Sequence, residues 1–106
     1  MTTNVLDRIG ALGDPTRRAI FELVAERARP VGELAAELPI TRPAVSQHLK
    51  VLKDAGLVVD RAAGTRRIYE LDPAGLAELR AYFERFWTKA LAAFKDAVER
   101  PTKEKR

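Results

Sequence analysis

Two side chains capable of nucleophilic chemistry, Ser46 and His48, lie close together in the stretch TRPAVSQHLKVLKDAGLV, residues 41–58. They are the only serine and the only histidine of the chain, and a histidine that takes the proton of a serine is the usual basis of hydrolytic catalysis. Residues two positions apart on a helix do not share a face, so a helical stretch would point the two side chains apart. The sequence therefore argues against an enzyme.

A metal or cofactor site is also poorly supported. The absence of cysteine excludes disulfides, thiolate metal sites and thiol catalysis. A single histidine leaves mainly carboxylates as ligands, and Asp96 and Glu99 near the end of the chain are more often part of a solvated helix face. We therefore predict no metal and no cofactor.

Length and hydropathy limit the class of protein. A chain of 106 residues has room for one compact domain. The start, MTTNVLDRIGAL, lacks a basic segment followed by a long apolar one, and no apolar run approaches the ~18 residues of a membrane span. We expect a cytoplasmic protein with no membrane partner.

Helical periodicity dominates the first half of the chain. Apolar residues recur every three or four positions, and Asp14-Pro15 and Thr41 are typical helix starts. Gly56 is a typical helix end. The predicted helices span residues 5–13, 14–28, 32–38 and 42–55.

After Gly56 the apolar period changes to two. Residues 57–59 and 68–71 flank a glycine-bearing tip at 62–65, which predicts a β-hairpin. Asp72-Pro73 then starts a long helix to about residue 100. We expect residues 1–100 to form a single domain and residues 101–106 to be a flexible tail.

The helix predicted at 42–55 has a buried stripe and an outward face. Val45, Leu49 and Leu52 fall together on a wheel of ~100° per residue, and Gln47, Lys50 and Val51 fall on the far side. A glutamine amide can pair with adenine, a lysine can reach guanine or phosphate, and small apolar groups can touch thymine methyls. A short helix, a break, this helix and a hairpin together form a winged helix-turn-helix.

The basic excess lies in the same region. Residues 41–67 carry six basic and two acidic side chains, a net charge of +4, whereas residues 1–40 sum to −1 and residues 68–106 to +1. Hairpin arginines suit a DNA backbone or a minor groove, although a solvated turn is the alternative. The candidate DNA contacts are Thr41, Arg42, Pro43, Ala44, Ser46, Gln47, His48, Lys50, Val51, Arg61, Arg66 and Arg67.

The last helix carries a wide apolar arc. Five of the seven aromatic residues lie on it, and an apolar arc of that width requires a partner, unless the helix is simply a core helix. A symmetric pair of such helices predicts a homodimer. The candidate interface residues are Val5, Leu6, Ile9, Leu79, Tyr82, Phe83, Phe86, Trp87, Leu91 and Phe94.

The chain resembles the ArsR/SmtB family of bacterial winged-helix repressors. The stretches that carry the resemblance are ALGDPTRRAIFELV, VGELAAELPITRPAVSQHLKVLKDAGLV and RRIYELDPAGLAEL, and within them the V-S-x-H-L-x-x-L core is Val45, Ser46, His48, Leu49 and Leu52. The resemblance implies a homodimer that represses transcription at an inverted-repeat operator, with helix 42–55 in the major groove and Ser46, Gln47 and His48 contacting DNA. The first and last helices would form the dimer interface.

The inducing signal is not fixed by the resemblance. Metal-sensing members carry cysteines where this chain has Ala35-Ala36-Glu37, and others place histidines on the last helix, which has none here. The chain therefore resembles the cysteine-free subgroup, and the inducer is unknown. Two other functions stay open: a winged helix that docks an acidic protein, and a small-molecule sensor with a pocket between the aromatic helices of the dimer.

Overall fold

A computed structural model describes residues 4–100. The helices are α1 (Val5–Ala11), α2 (Pro15–Glu26), α3 (Val31–Ala36), α4 (Arg42–Asp54) and α5 (Pro73–Glu99), and the strands are β1 (Arg29–Pro30), β2 (Val58–Ala63) and β3 (Arg66–Leu71). The predicted mostly helical fold with five helices and a hairpin is confirmed for the described residues. The tail predicted at 101–106 lies outside them.

Local capping explains where the helices begin. The carboxylate of Asp14 accepts the backbone N–H of Arg17 at 2.8 Å, and the Thr41 hydroxyl accepts that of Ala44 at 3.3 Å. Asp72 caps α5 in the same way and is followed by a proline in the first turn. Such caps satisfy N–H groups that have no partner within the helix, so these three starts follow directly from the sequence.

The sheet has one strand more than the sequence predicted. β1 pairs antiparallel with β3, with Arg29 opposite Tyr69 and Pro30 opposite Ile68, so the strand order is β1-β3-β2. A two-residue strand carries no periodic signal, and its proline is tolerated because β1 is an edge strand. Because the chain is extended from residue 27, α2 ends at Glu26 and not at the predicted residue 28.

The hairpin, which we call the wing, is longer and tighter than predicted. Its strands run from Val58 to Ala63 and from Arg66 to Leu71, so the tip is only Gly64 and Thr65. Gly64 has a φ of 65°, a conformation that L side chains adopt with difficulty. The glycine therefore permits the tight turn that keeps the two strands paired to the tip.

The core lies between α2, α3 and α4. Ile20, Leu34, Val45, Leu49 and Leu52 are fully buried. The last three are the stripe that the helical wheel predicted, so the prediction of which face of α4 is buried is confirmed. Consequently the opposite face of α4 is turned outward.

A buried arginine fastens α2 and β1 to α3. Arg29 is 2% exposed, and its guanidinium donates to Glu26 at 3.1 Å and to Glu37. Buried charges are tolerated when they are paired in this way. The Arg29 contacts hold α3, the first helix of the helix-turn-helix, against α2.

The end of α4 and the start of α5 meet through backbone atoms. A Cβ built on Gly75 would lie 1.6 Å from the carbonyl oxygen of Gly56. Gly56 itself has a φ of 80°. The guanidinium of Arg8 from α1 packs against Gly56 and donates a hydrogen bond to Glu78 at 2.7 Å. Three helices are therefore fixed at one point with no side chain between the two glycines.

The distal part of α5 extends beyond the body. The radius of gyration is 19.4 Å and the extents are 71 × 30 × 23 Å, whereas a compact domain of 100 residues has a radius of gyration of about 13 Å. Leu76 and Leu79 pack on the core, but every residue from 83 to 100 is exposed. None of the described helices is long and apolar enough to cross a membrane.

Candidate nucleic-acid interface

The outward side of α4 presents a mixed polar and apolar surface. α3 and α4 are separated by residues 37–41, which is longer than the predicted three-residue break, and Thr41 caps α4. Because Val45, Leu49 and Leu52 are buried, the orientation of α4 about its own axis is fixed. We call the exposed side chains on the opposite side the outer face: Pro43, Gln47, Lys50 and Val51.

Gln47 is the residue of the outer face best suited to read a base. Its side chain is exposed, and within residues 4–100 no hydrogen bond occupies its amide. Val51, one turn further along the helix, is 39% exposed despite being apolar. An amide donor and acceptor beside an apolar group matches the edge of an A·T pair in the major groove.

Other predicted contacts on α4 also have contacts within the chain. The Arg42 guanidinium lies against α3, where a Cβ on Gly32 would come within 3.3 Å of Nη2. His48 is 24% exposed, and its Nδ1 lies 4.0 Å from a carboxylate oxygen of Asp14 at the start of α2. Ser46 is exposed, and Ala44 is half-buried. His48 thus faces α2, whereas Ser46 faces solvent.

Most cations of the basic region are paired with carboxylates, which the sequence did not indicate. Lys50 Nζ lies 3.0 Å from Asp54 Oδ2, and Arg61 Nε lies 3.5 Å from Glu70 Oε1. Of the three wing arginines, only Arg66 has no ion pair with another residue of the described range 4–100. The net charge of residues 41–67 is still +4, but fewer of their cations are free to contact DNA than a count of basic residues suggests.

One carboxylate connects α4 to the wing. The carboxylate of Asp60 on β2 forms ion pairs with Lys53 Nζ at 2.7 Å and with Arg67 Nε at 2.6 Å. The Asp60 side chain is 8% exposed. The hydrogen bonds from Lys53 and then Arg67 hold the pKa of Asp60 below its usual range, and Asp60 raises the pKa of Lys53. Neither Lys53 nor Asp60 was among the predicted site residues, because their contact depends on how the hairpin packs on α4.

The stability that Asp60 provides should depend on pH. Because its pKa is lowered by folding, the contribution is present above the unfolded pKa of about 3.9 and is lost as the pH falls through the folded value. We expect Asp60→Asn to lower the midpoint of thermal unfolding by roughly 4–8 °C at pH 7. Below about pH 4 the midpoints of the variant and the wild-type protein should come closer together. Circular dichroism melts across this range test it; an equal difference at pH 7 and pH 3 would contradict it.

An uncovered apolar surface runs along α5. We call it the α5 arc: Phe83, Phe86, Trp87, Leu91, Phe94 and Val98, each at least 47% exposed. Leu6 of α1 is 62% exposed, while Val5, Ile9, Leu79 and Tyr82 are partly buried. Val98 was not among the predicted interface residues, although its spacing of four from Phe94 and seven from Leu91 continues the same side of the helix.

Together these features define a winged helix-turn-helix DNA-binding protein. Residues 12–61 match a family model described as "Helix-turn-helix domain". The HTH-type transcriptional regulator Rv2034 of Mycobacterium tuberculosis is 61% identical over 89 residues, covering 84% of this chain and 83% of that protein. The chain belongs to the ArsR/SmtB family of helix-turn-helix transcriptional regulators.

Solved structures agree with this assignment. An ArsR-like transcriptional regulator from Rhodococcus sp. RHA1 superimposes with a TM-score of 0.73 at 28% identity, covering 92% of this chain and 94% of that one. A Mycobacterium bovis structure described as a homodimeric winged helix-turn-helix DNA-binding domain gives a TM-score of 0.64 at 25% identity, covering 95% and 87%. Within residues 4–100, no group of three or more histidine, cysteine, aspartate or glutamate side chains is placed to hold a metal ion.

Proposed function

We propose that this regulator is a homodimeric repressor that binds an inverted-repeat operator and blocks transcription by occupying the promoter. The observation that carries the proposal is the exposed outer face of α4, with Gln47 unpartnered, beside a wing whose Arg66 is unpaired within the described residues. A DNA-binding regulator needs no catalytic group and acts where the DNA is, so we infer that the protein is not an enzyme and acts in the cytoplasm.

Dimerisation is supported by the α5 arc. Each large apolar side chain removed from water contributes about 1.5–3 kcal/mol, and a contiguous row of exposed large apolar side chains marks an association site. The homodimeric Mycobacterium bovis relative assembles from the same architecture. In our proposal Val5, Leu6, Ile9, Leu79 and Tyr82 extend the α5 arc into one two-fold interface.

The two copies of α4 would then enter successive major grooves on one side of the duplex. Half-sites about one or two helical turns apart follow from this symmetry. Gln47, Lys50, Val51, Pro43 and Ala44 are proposed to meet base edges. The other proposed contacts, to backbone phosphates or the adjacent minor groove, are Thr41, Arg42, Ser46, His48, Arg61, Arg66 and Arg67.

Substitution of Gln47 tests the base-reading role. Gln47→Ala removes a bidentate amide contact, so we expect a loss of ~1–3 kcal/mol on the preferred duplex and a relaxed preference at one base position. The preferred duplex is first obtained by selecting bound sequences from a random library, and affinities are then measured by fluorescence anisotropy. Thr88→Ala, an exposed change on α5, serves as the control. Equal losses on selected and random duplex would refute base reading.

Arg66 is expected to contribute equally to the binding of every DNA sequence. Arg66→Ala should weaken selected and random duplexes by the same factor and reduce the slope of log affinity against log salt by about 0.9, because one phosphate contact is lost. Anisotropy titrations at four salt concentrations measure the slope. Lys89→Ala, which removes a charge from α5, should leave it unchanged; an unchanged slope for Arg66→Ala would remove Arg66 from the interface.

A further inference from the structure

Asp60 differs from the other carboxylates of the DNA-facing region. Asp54 and Glu70 also approach basic residues, but their side chains are 65% and 41% exposed. The Asp60 side chain is 8% exposed and receives two cations at 2.7 and 2.6 Å, whereas Glu70 lies 3.5 Å from its arginine. Asp60 is therefore a fixed component of the structure, and the other two are surface charges.

The two cations that Asp60 holds belong to different elements. Lys53 lies in the last turn of α4, and Arg67 lies on β3 of the wing. Arg67 uses Nε for this contact, so both Nη groups stay available as donors, and the two basic side chains are 52% and 59% exposed. Both can still donate to a phosphate, but only from positions that Asp60 sets.

A cation held in one position distinguishes between DNA duplexes better than a mobile cation does. A mobile lysine or arginine can follow the phosphates of any duplex, which is the source of binding that does not depend on sequence. A cation held in place meets a phosphate only when the groove has the matching width and register. Fixing one cation on α4 and one on the wing therefore makes binding sensitive to the spacing between the major and minor grooves.

We propose that Asp60 is a positioning residue for specificity: by joining Lys53 of α4 to Arg67 of the wing, it sets the geometry between the two DNA-contacting elements and suppresses binding to random sequence. The inference rests on the proposed DNA-binding function. It adds a specificity determinant that does not itself touch a base.

The variant Asp60→Asn tests the proposal, with Glu70→Gln as the matched control. Both remove one carboxylate from the wing, so both should raise affinity for a random duplex, roughly tenfold at 0.1 M salt, and steepen the salt slope by about 0.9. Only Asp60→Asn should lower the ratio of selected-duplex to random-duplex affinity, by about tenfold, because only Asp60 positions two cations. Anisotropy with both duplexes gives all three quantities.

Three outcomes are distinguishable in this experiment. A tenfold fall in the ratio for Asp60→Asn, with an unchanged ratio for Glu70→Gln, supports the proposal. Equal ratios in both variants, or an equal fall of both affinities in Asp60→Asn, would overturn it, since Asp60 would then be an ordinary charge or a purely structural residue. If the wild-type protein enriches no sequence from the library, the proposed function fails instead.

A second variant keeps the test valid if Asp60→Asn does not fold. Lys53→Gln leaves Asp60 with a single partner and removes the ion pair between α4 and the wing. We expect affinity for the selected duplex to fall several-fold more than affinity for the random duplex. Equal losses on both would show that Lys53 is an ordinary phosphate contact and would contradict the positioning role of Asp60.

Discussion

The variant Phe94→Glu is expected to sediment as a monomer and to lose at least about 100-fold in affinity for the selected duplex. Phe94 is 68% exposed, the highest value in the α5 arc, and it makes no contribution to the core. A carboxylate there places two like charges in the two-fold interface but leaves the winged body intact. Losing the second half-site removes an avidity of the order of 10²–10⁴.

The measurement is analytical ultracentrifugation at several concentrations, followed by anisotropy with the selected duplex. The matched control is Thr88→Glu, which adds the same charge to the polar side of the same helix and should remain dimeric. A Phe94→Glu protein that sediments as a dimer would place the interface elsewhere and would contradict the proposed use of the α5 arc.

The variant Gly75→Ala is expected to lose about 3 kcal/mol or more of folding stability. The added methyl would lie 1.6 Å from the backbone oxygen of Gly56, and neither partner is a flexible side chain that could move aside. Overpacking typically costs ~1–3 kcal/mol, and a backbone clash belongs at or above the upper end. The thermal midpoint should fall by more than about 10 °C.

Gly10→Ala is the matched control for this measurement. Gly10 lies inside α1, and a Cβ there meets nothing within 4 Å, so the change should be neutral or stabilise by ~0.5–1 kcal/mol. Thermal melts of both variants give the comparison. A Gly75→Ala midpoint within 3 °C of wild type would mean that α5 can shift away from α4 easily.

Local signals in the sequence predicted most of the fold. The caps at Asp14, Thr41 and Asp72 set helix starts, and the stripe of Val45, Leu49 and Leu52 identified the buried side of α4. These features depend on residues within one or two turns of each other. The wing was predicted from the change in period alone, which located the hairpin but underestimated the length of its strands.

Features that depend on distant residues were not predicted. β1 forms because residues 29–30 meet β3, almost forty positions later in the chain. The contacts of Asp60 with Lys53 and Arg67 require α4 and the wing to pack at one angle, and the Gly56–Gly75 contact requires α5 to begin beside the end of α4. No periodic pattern records such packing, so neither the Asp60 contacts nor the close approach of Gly75 to Gly56 was predicted from the sequence.

The protruding half of α5 has a consequence for how the amount of protein controls transcription. Because its exposed aromatic side chains lie outside the folded body, the body can form before the pair does, and pairing then follows mass action. When most chains are single, the concentration of pairs grows with the square of the number of chains. Promoter occupancy would then rise more steeply than in proportion to synthesis, and a twofold dilution of the chain by cell growth would lower the concentration of pairs about fourfold.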